Sequence, residues 1–335
     1  MSGANSRIER FLNSLRENLT EGNYYEGHQE LRAVASRFVK QKKHDRAIQF
    51  LYLGALELCQ YNQWGSVADL SSFMINIYIE EKVPVTLENK ERVYDILEKL
   101  SQATEYYPRV YESAIQWTVA EIGGVGDPQM HHFVGCVLRN KNRYQEAELH
   151  FLVGTPESPS ALGNMLAEWA LKTDASDYGL FVARGVLKYL ALGWYEAACF
   201  CWRGFISRIS TAMPDRVAER TDNNELASKI GPVFYVSAPH VLANFVQLLL
   251  LTVERSDGNP ASDATRIFNS LRQKYVGSFG VNSDTVQKLM DLIAEKYFGV
   301  VVQRQQSLFD LVNSLFAAPP SRPAISSSNV DEDMD

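Results

Sequence analysis

Apolar residues in this sequence recur every three to four positions, in stripes about 15 to 18 residues long parted by connections of a few residues. Ile8, Phe11, Leu12, Leu15 and Leu19 make the first stripe, and Tyr24, His28, Leu31, Ala35 and Phe38 the second. Ala47, Leu51, Gly54, Ala55 and Leu58 follow, then Val67, Leu70, Met74 and Ile77. Glu21-Gly22-Asn23 and Lys42-Lys43-His44 interrupt them as polar turns. Each stripe predicts a helix that is apolar on one side, and short connections force neighbouring helices to lie antiparallel. The rhythm continues over 87–103, 107–122, 128–139, 143–153, 159–172, 177–192, 194–209, 239–255, 261–275, 283–297 and 305–316. That makes about fifteen helices.

A small pattern recurs at helix starts: an aromatic residue, a glutamate within one or two positions, then a small residue. Tyr25-Glu26-Gly27, Tyr144-Gln145-Glu146-Ala147 and Tyr195-Glu196-Ala197 carry it. The glutamate sits in the first turn, where the helix dipole favours negative charge. The small residue admits the next helix and the aromatic fills the gap between pairs. The predicted fold class is therefore all-α, a solenoid of tetratricopeptide-like helical hairpins with irregular spacing. Residues 210–238 break the rhythm with Pro214, Gly231, Pro232 and Pro239 around Val233-Phe234-Tyr235-Val236, which predicts a long loop or one short β-hairpin. Residues 318–335, with Pro319, Pro320, Pro323 and an acidic end, read as a disordered tail.

Composition narrows the function. The net charge is −7, and Asp331, Glu332, Asp333 and Asp335 supply four of those negative charges, so the body carries −3. A nucleic-acid binder would show a basic surplus. The cysteines Cys59, Cys136, Cys199 and Cys201 form no CxxC pair, which predicts reduced, mostly buried thiols and a cytosolic setting. Met1 to Asn18 has no apolar leader core, and Val241 to Val253 is too short to span a bilayer.

Site chemistry is sparse. Gly123-Gly124-Val125-Gly126 follows a helical stretch rather than a strand and has no Gly-Lys-Ser/Thr after it, so it predicts a helix–helix loop. His28, His44, His131, His132, His150 and His240 form no HExxH, and no GxSxG occurs. The expectation is a non-enzymatic protein without cofactor or metal. Lys40, Lys42, Lys43 and Arg46 form a basic run, and residues 1–50 hold nine Lys/Arg against six Asp/Glu. An acidic partner surface would suit this end.

A resemblance runs through ordered segments. They are Tyr24-Tyr25-Glu26-Gly27-His28-Gln29-Glu30-Leu31-Arg32, Leu53-Gly54-Ala55, Ala68-Asp69-Leu70, Gly126-Asp127-Pro128 with His131, His150-Phe151-Leu152, Gly163-Asn164-Met165-Leu166 and Tyr297-Phe298-Gly299-Val300. Over residues 7–316 these resemble the Golgi-to-ER traffic protein 4 family, a component of the transmembrane-domain recognition complex. Gly27 stands where that family has Ala, and the stretch at 210–230 is longer and more polar.

The resemblance implies a cytosolic scaffold for delivering tail-anchored membrane proteins to the endoplasmic reticulum. Its N-terminal half, 1–155, would dock an ArsA-type targeting ATPase through Arg10, Arg16, Arg32 and Asp69. Its C-terminal half, 156–317, would hold a ubiquitin-like adaptor against the last helices and the 233–236 segment with Phe234 and Val236, where Phe298, Leu308, Phe309 and Phe316 would form an apolar groove. The adaptor in turn would recruit a tetratricopeptide co-chaperone carrying the client. Neither nucleic acid nor membrane insertion is implied. The rival reading is a helical-repeat subunit of a coat or lid-type assembly. Such subunits often end in a winged-helix domain, whereas this chain ends in the amphipathic Leu308, Leu311, Val312, Leu315 segment and the tail.

Overall fold

The protein was analysed as a computed structural model that describes residues 2–173, 177–219 and 229–300, with side chains from residue 9 onward. The described chain contains fourteen α-helices. They are α1 (Ser2–Thr20), α2 (Tyr24–Lys40), α3 (His44–Gln60), α4 (Trp64–Glu80), α5 (Leu87–Leu100), α6 (Tyr107–Ile122) and α7 (Pro128–Asn140). Then come α8 (Tyr144–Leu152), α9 (Ser158–Lys172), α10 (Gly179–Leu192), α11 (Tyr195–Ala212), α12 (Val241–Glu254), α13 (Asp263–Tyr275) and α14 (Ser283–Phe298). Two short strands, β1 (Val217–Glu219) and β2 (Phe234–Val236), lie between α11 and α12. The fifteenth helix expected at 305–316 and the tail lie outside the described residues.

The spacing expected to be irregular is regular over the first helices. Helices α2, α3 and α4 are each 17 residues long and begin at Tyr24, His44 and Trp64, a step of 20 residues. The residues closing each turn take left-handed φ at the same interval: Gly22 (89°), Lys42 (56°), Asn62 (57°) and Lys82 (51°). The next N–H reaches back to close the helix end. Asn23 bonds the Asn18 carbonyl (3.0 Å), Lys43 that of Phe38 (2.9 Å), Gln63 that of Leu58 (3.2 Å) and Val83 that of Tyr78 (2.8 Å). This Schellman closure satisfies carbonyls that a helix end leaves open, and reverses the chain in three residues. It recurs at Asn142 and Gly193.

The helices alternate between two layers. Each of α1, α3, α5, α7 and α9 touches the next odd-numbered helix, and α4·α6, α8·α10 and α10·α12 do the same on the other side. A continuous core runs between the layers, with Tyr78, Trp117, Phe151, Trp202 and Phe245 fully buried. Each of the two phenylalanines contributes about 1.5–3 kcal/mol by leaving water. Trp117 also donates its indole N–H to the Val83 carbonyl at 2.8 Å, fixing α6 to the end of α4.

The tightest helix pair is α9 with α11, where glycines replace side chains. A Cβ on Gly163 would stand 2.0 Å from the Cys201 carbonyl oxygen, and one on Gly204 2.6 Å from that of Ser160. Cys59, Cys199 and Cys201 are buried and Cys136 half-buried, all as free thiols. The apolar stretch at 241–253 is the core helix α12.

The break at 210–238 contains the strand pair. β1 and β2 are antiparallel, with Val217 opposite Val236, Ala218 opposite Tyr235 and Glu219 opposite Phe234. Val217 and Val236 are buried, which seats this small sheet on the helices behind it.

Candidate partner-binding surfaces

The four N-terminal candidates occupy two surfaces. Arg10 is exposed on α1. Arg16, also on α1, donates from Nε to Glu57 Oε1 of α3 at 2.9 Å, so it belongs to the odd-numbered layer. Arg32 on α2 pairs instead with Asp69 on α4 and lies over the Phe73 ring, 5.6 Å from its centroid. The even-numbered layer thus brings Arg32 and Asp69 together and leaves Arg16 elsewhere.

Asp69 is the centre of a larger cluster. Its Oδ2 also lies 2.9 Å from His28 Nε2, and its Oδ1 lies 3.9 Å from a guanidinium nitrogen of Arg109 on α6. Burial alone would raise the Asp69 carboxyl, but the hydrogen bonds from Arg32 and His28 outweigh it and hold the group below its usual range. It therefore stays ionised beside two partly exposed guanidiniums, at 43% and 61% exposure, giving a surface able to receive acidic groups. His28, Phe73 and Arg109 were missed as members of this surface. A signal for two of the pairings existed, since Arg16–Glu57 and His28–Asp69 are both 41 residues apart, two helical modules plus one residue. Lys40, Lys42, Lys43 and Arg46 are exposed at the α2–α3 turn, where His44 pairs with Glu81 at 3.0 Å.

The glycine-rich segment is a helix–helix loop in the structure. Gly123, Gly124 and Gly126 take positive φ between α6 and α7, and Asp127 caps α7 by accepting from the Met130 N–H. Lys90 binds the same carboxylate at 3.1 Å. Behind the loop, His131 Nε2 lies 2.8 Å from the Val125 carbonyl, and its Nδ1 lies 2.9 Å from His150 Nδ1. A carbonyl only accepts, so His131 carries its proton on Nε2 and His150 donates from Nδ1. Burial pushes both imidazoles down, His150 to about 3, and each remains neutral near neutrality. These histidines hold a loop; they form no exposed site.

The C-terminal candidates require a correction. Phe298 is wholly buried and stacks on Phe268 with ring centroids 4.4 Å apart. Val236 is buried as well, and Phe234 is half-buried. Among the described residues Phe298 and Val236 fill the core and line no groove: Phe298 packs on Phe268 of α13, and Val236 lies on the side of the small sheet that faces the helices. Leu308, Phe309 and Phe316 lie outside the described residues. A different concavity is present in this half. It has a volume of about 550 Å³, with Trp169, Phe181, Leu187, Phe279, Val286 and Leu289 among its walls. Arg184 and Lys188 stand at its side, both paired with the buried Glu148.

Among the described residues, no group of three or more His, Cys, Asp or Glu is placed to hold a metal ion, and no helix is long and apolar enough to cross a membrane.

Comparison with known proteins assigns the family. The sequence profile of Golgi to ER traffic protein 4 matches residues 41–316. The relative of that name in Schizosaccharomyces pombe is 30% identical over 319 residues, covering 94% of this chain and 97% of the relative. The human Golgi to ER traffic protein 4 homolog is 27% identical over 315 residues, covering 93% of this chain and 86% of the homolog. The crystal structure of C. therm. Get4 superposes with a TM-score of 0.76 at 26% identity, covering 97% of this chain and all of that one. The chain belongs to the Golgi to ER traffic protein 4 family.

Proposed function

We propose that this protein is a cytosolic scaffold in the delivery of tail-anchored membrane proteins to the endoplasmic reticulum. Its N-terminal half binds an ArsA-type targeting ATPase and its C-terminal half a ubiquitin-like adaptor. Client then passes from a tetratricopeptide co-chaperone, recruited by the adaptor, to the ATPase. The observation that carries this reading is the family match over 41–316, which reaches into both halves.

The arrangement of charge supports it. The Arg32–Asp69–Arg109 cluster suits a soluble partner with acidic groups, and complementary charge of this kind mainly speeds and orients association. No step in this reading requires the scaffold to bind nucleotide. Sedimentation of the purified chain with ATPase and adaptor tests it: a complex containing all three is expected. Binding of the two partners in mutual exclusion would refute the bridge.

A further inference from the structure

The concavity between α8, α9, α10 and α14 has no part in the function proposed above, and its lining falls wholly among the described residues. Its floor is apolar and fixed. Leu187, Phe279, Val286 and Leu289 are buried, and Phe279 meets the Phe245 ring edge-on with centroids 5.9 Å apart. Trp169 and Phe181 form one wall, T-shaped at 5.3 Å. The volume of about 550 Å³ suits a small-molecule site, in which apolar walls are joined by a few polar groups.

The charge at this place is one-sided. Arg184 and Lys188 are the charged residues of the lining, and no carboxylate joins them there. Both bind Glu148, which is buried and outside the lining: Arg184 Nε donates to its Oε2 at 2.9 Å, and Lys188 Nζ to its Oε1. Two cations against one carboxylate leave one positive charge in excess beside the apolar floor. The excess belongs to Arg184, whose side chain is 41% exposed and whose guanidinium carbon lies 5.2 Å from the Trp169 ring centroid. Its Nε is engaged by Glu148, while its terminal nitrogens donate no hydrogen bond among the described residues. An anion above the floor would meet donors already held in position.

We propose that this concavity binds a monomeric amphiphile of the alkyl carboxylate class, with the chain on Leu187, Val286 and Leu289 and the carboxylate on Arg184. Charge complementarity selects the anion. The walls select against an extended peptide, because they are mostly helical and their main-chain groups are bonded within the helices. A strand laid there would bury N–H and C=O groups without partners. A ligand with a single polar group at one end meets both conditions, and the assignment is independent of the scaffold reading.

Calorimetric titration of the full chain with decanoate, kept below its micelle concentration, tests the site. One-to-one binding is expected. Decanol and decyltrimethylammonium, which share the chain but carry a neutral or cationic head, should bind roughly tenfold more weakly or worse. Arg184→Gln should weaken decanoate binding roughly tenfold and leave decanol unchanged, while Arg184→Lys stays near wild type. Thr285→Trp plugs the mouth from an exposed rim position, leaves the Glu148 ion pairs intact and should abolish binding with the circular dichroism spectrum unchanged. Absent decanoate binding, equal binding of the three amphiphiles, or undiminished binding by folded Thr285→Trp overturns the proposal. Displacement of decanoate by purified adaptor would give the concavity to a protein partner and overturn it as well.

Discussion

From Gly22 to Lys82 the helices step in uniform 20-residue modules, and Arg16–Glu57, His28–Asp69 and Arg32–Asp69 tie each helix to its second neighbour. Beyond Ser158 the stack is built differently. Backbones meet through glycine at α9–α11, a strand pair fills the space before α12, and the side-chain amides of Asn244 and Gln247 rather than ion pairs satisfy its edge. The first region is tied by adjustable side chains near the surface. The second keeps such ion pairs, as Arg208–Glu168 across α9 and α11, and adds backbone contacts that leave little room for change.

Glycine substitutions should expose that contrast most strongly. Gly163→Ala drives a Cβ to 2.0 Å from a main-chain oxygen that cannot move aside, so a loss of about 3 kcal/mol is expected in denaturant unfolding. Gly27→Ala meets the Leu15 side chain at 3.0 Å, and that side chain can shift. Because alanine favours helix, its net effect should stay within about 1 kcal/mol of zero. Equal losses at the two sites would erase the distinction.

Acid should find the other weak point, at the α7–α8 junction. The His131–His150 pair has both imidazoles pushed down by burial, so the unfolded chain takes up protons that the folded chain refuses. Stability from this pair is complete above the ordinary imidazole value of 6.5 and is lost progressively as pH falls toward the folded value of His150, about 3. Hydrogen exchange of intact protein at pH 7 and pH 5 should show α7 and α8 losing protection before α10 and α12. His150→Phe should flatten that dependence.

The smallest effect belongs to the modules. Lys82 holds a left-handed conformation that glycine adopts without strain, so Lys82→Gly should stabilise the chain by about 0.5–1 kcal/mol in the same unfolding assay. A loss there would show that the lysine side chain contributes more than its backbone costs.

This contrast also explains what could be read beforehand. Helices were legible because every one must turn a 3.6-residue stripe toward the core, and α6, α9 and α12 fall close to their expected ranges. The 20-residue step was not, because Lys42, Asn62 and Lys82 occupy positions where glycine would have announced the turn. Arg32 and Asp69 were found as separate charges. That they share one cluster with His28 and Arg109 depends on which helices become second neighbours. Phe298 and Val236 misled for a related reason: an apolar residue on an amphipathic element covers a core or a groove according to what packs beside it. Here α13 and α14 close on Phe298, and Val236 sits on the buried side of the sheet.

The central claim is that two partners use two separate ends, and Arg32→Glu tests it most directly. That side chain is 43% exposed and lies over the half-buried Phe73 ring rather than inside the core, so circular dichroism should report an unchanged fold. The substitution also places a carboxylate beside Asp69. Titrating the variant with purified ATPase and, separately, with purified adaptor should show ATPase binding weakened roughly tenfold or more while adaptor binding is unchanged. Undiminished ATPase binding, or an equal loss for both partners with the fold intact, would contradict the two-ended account.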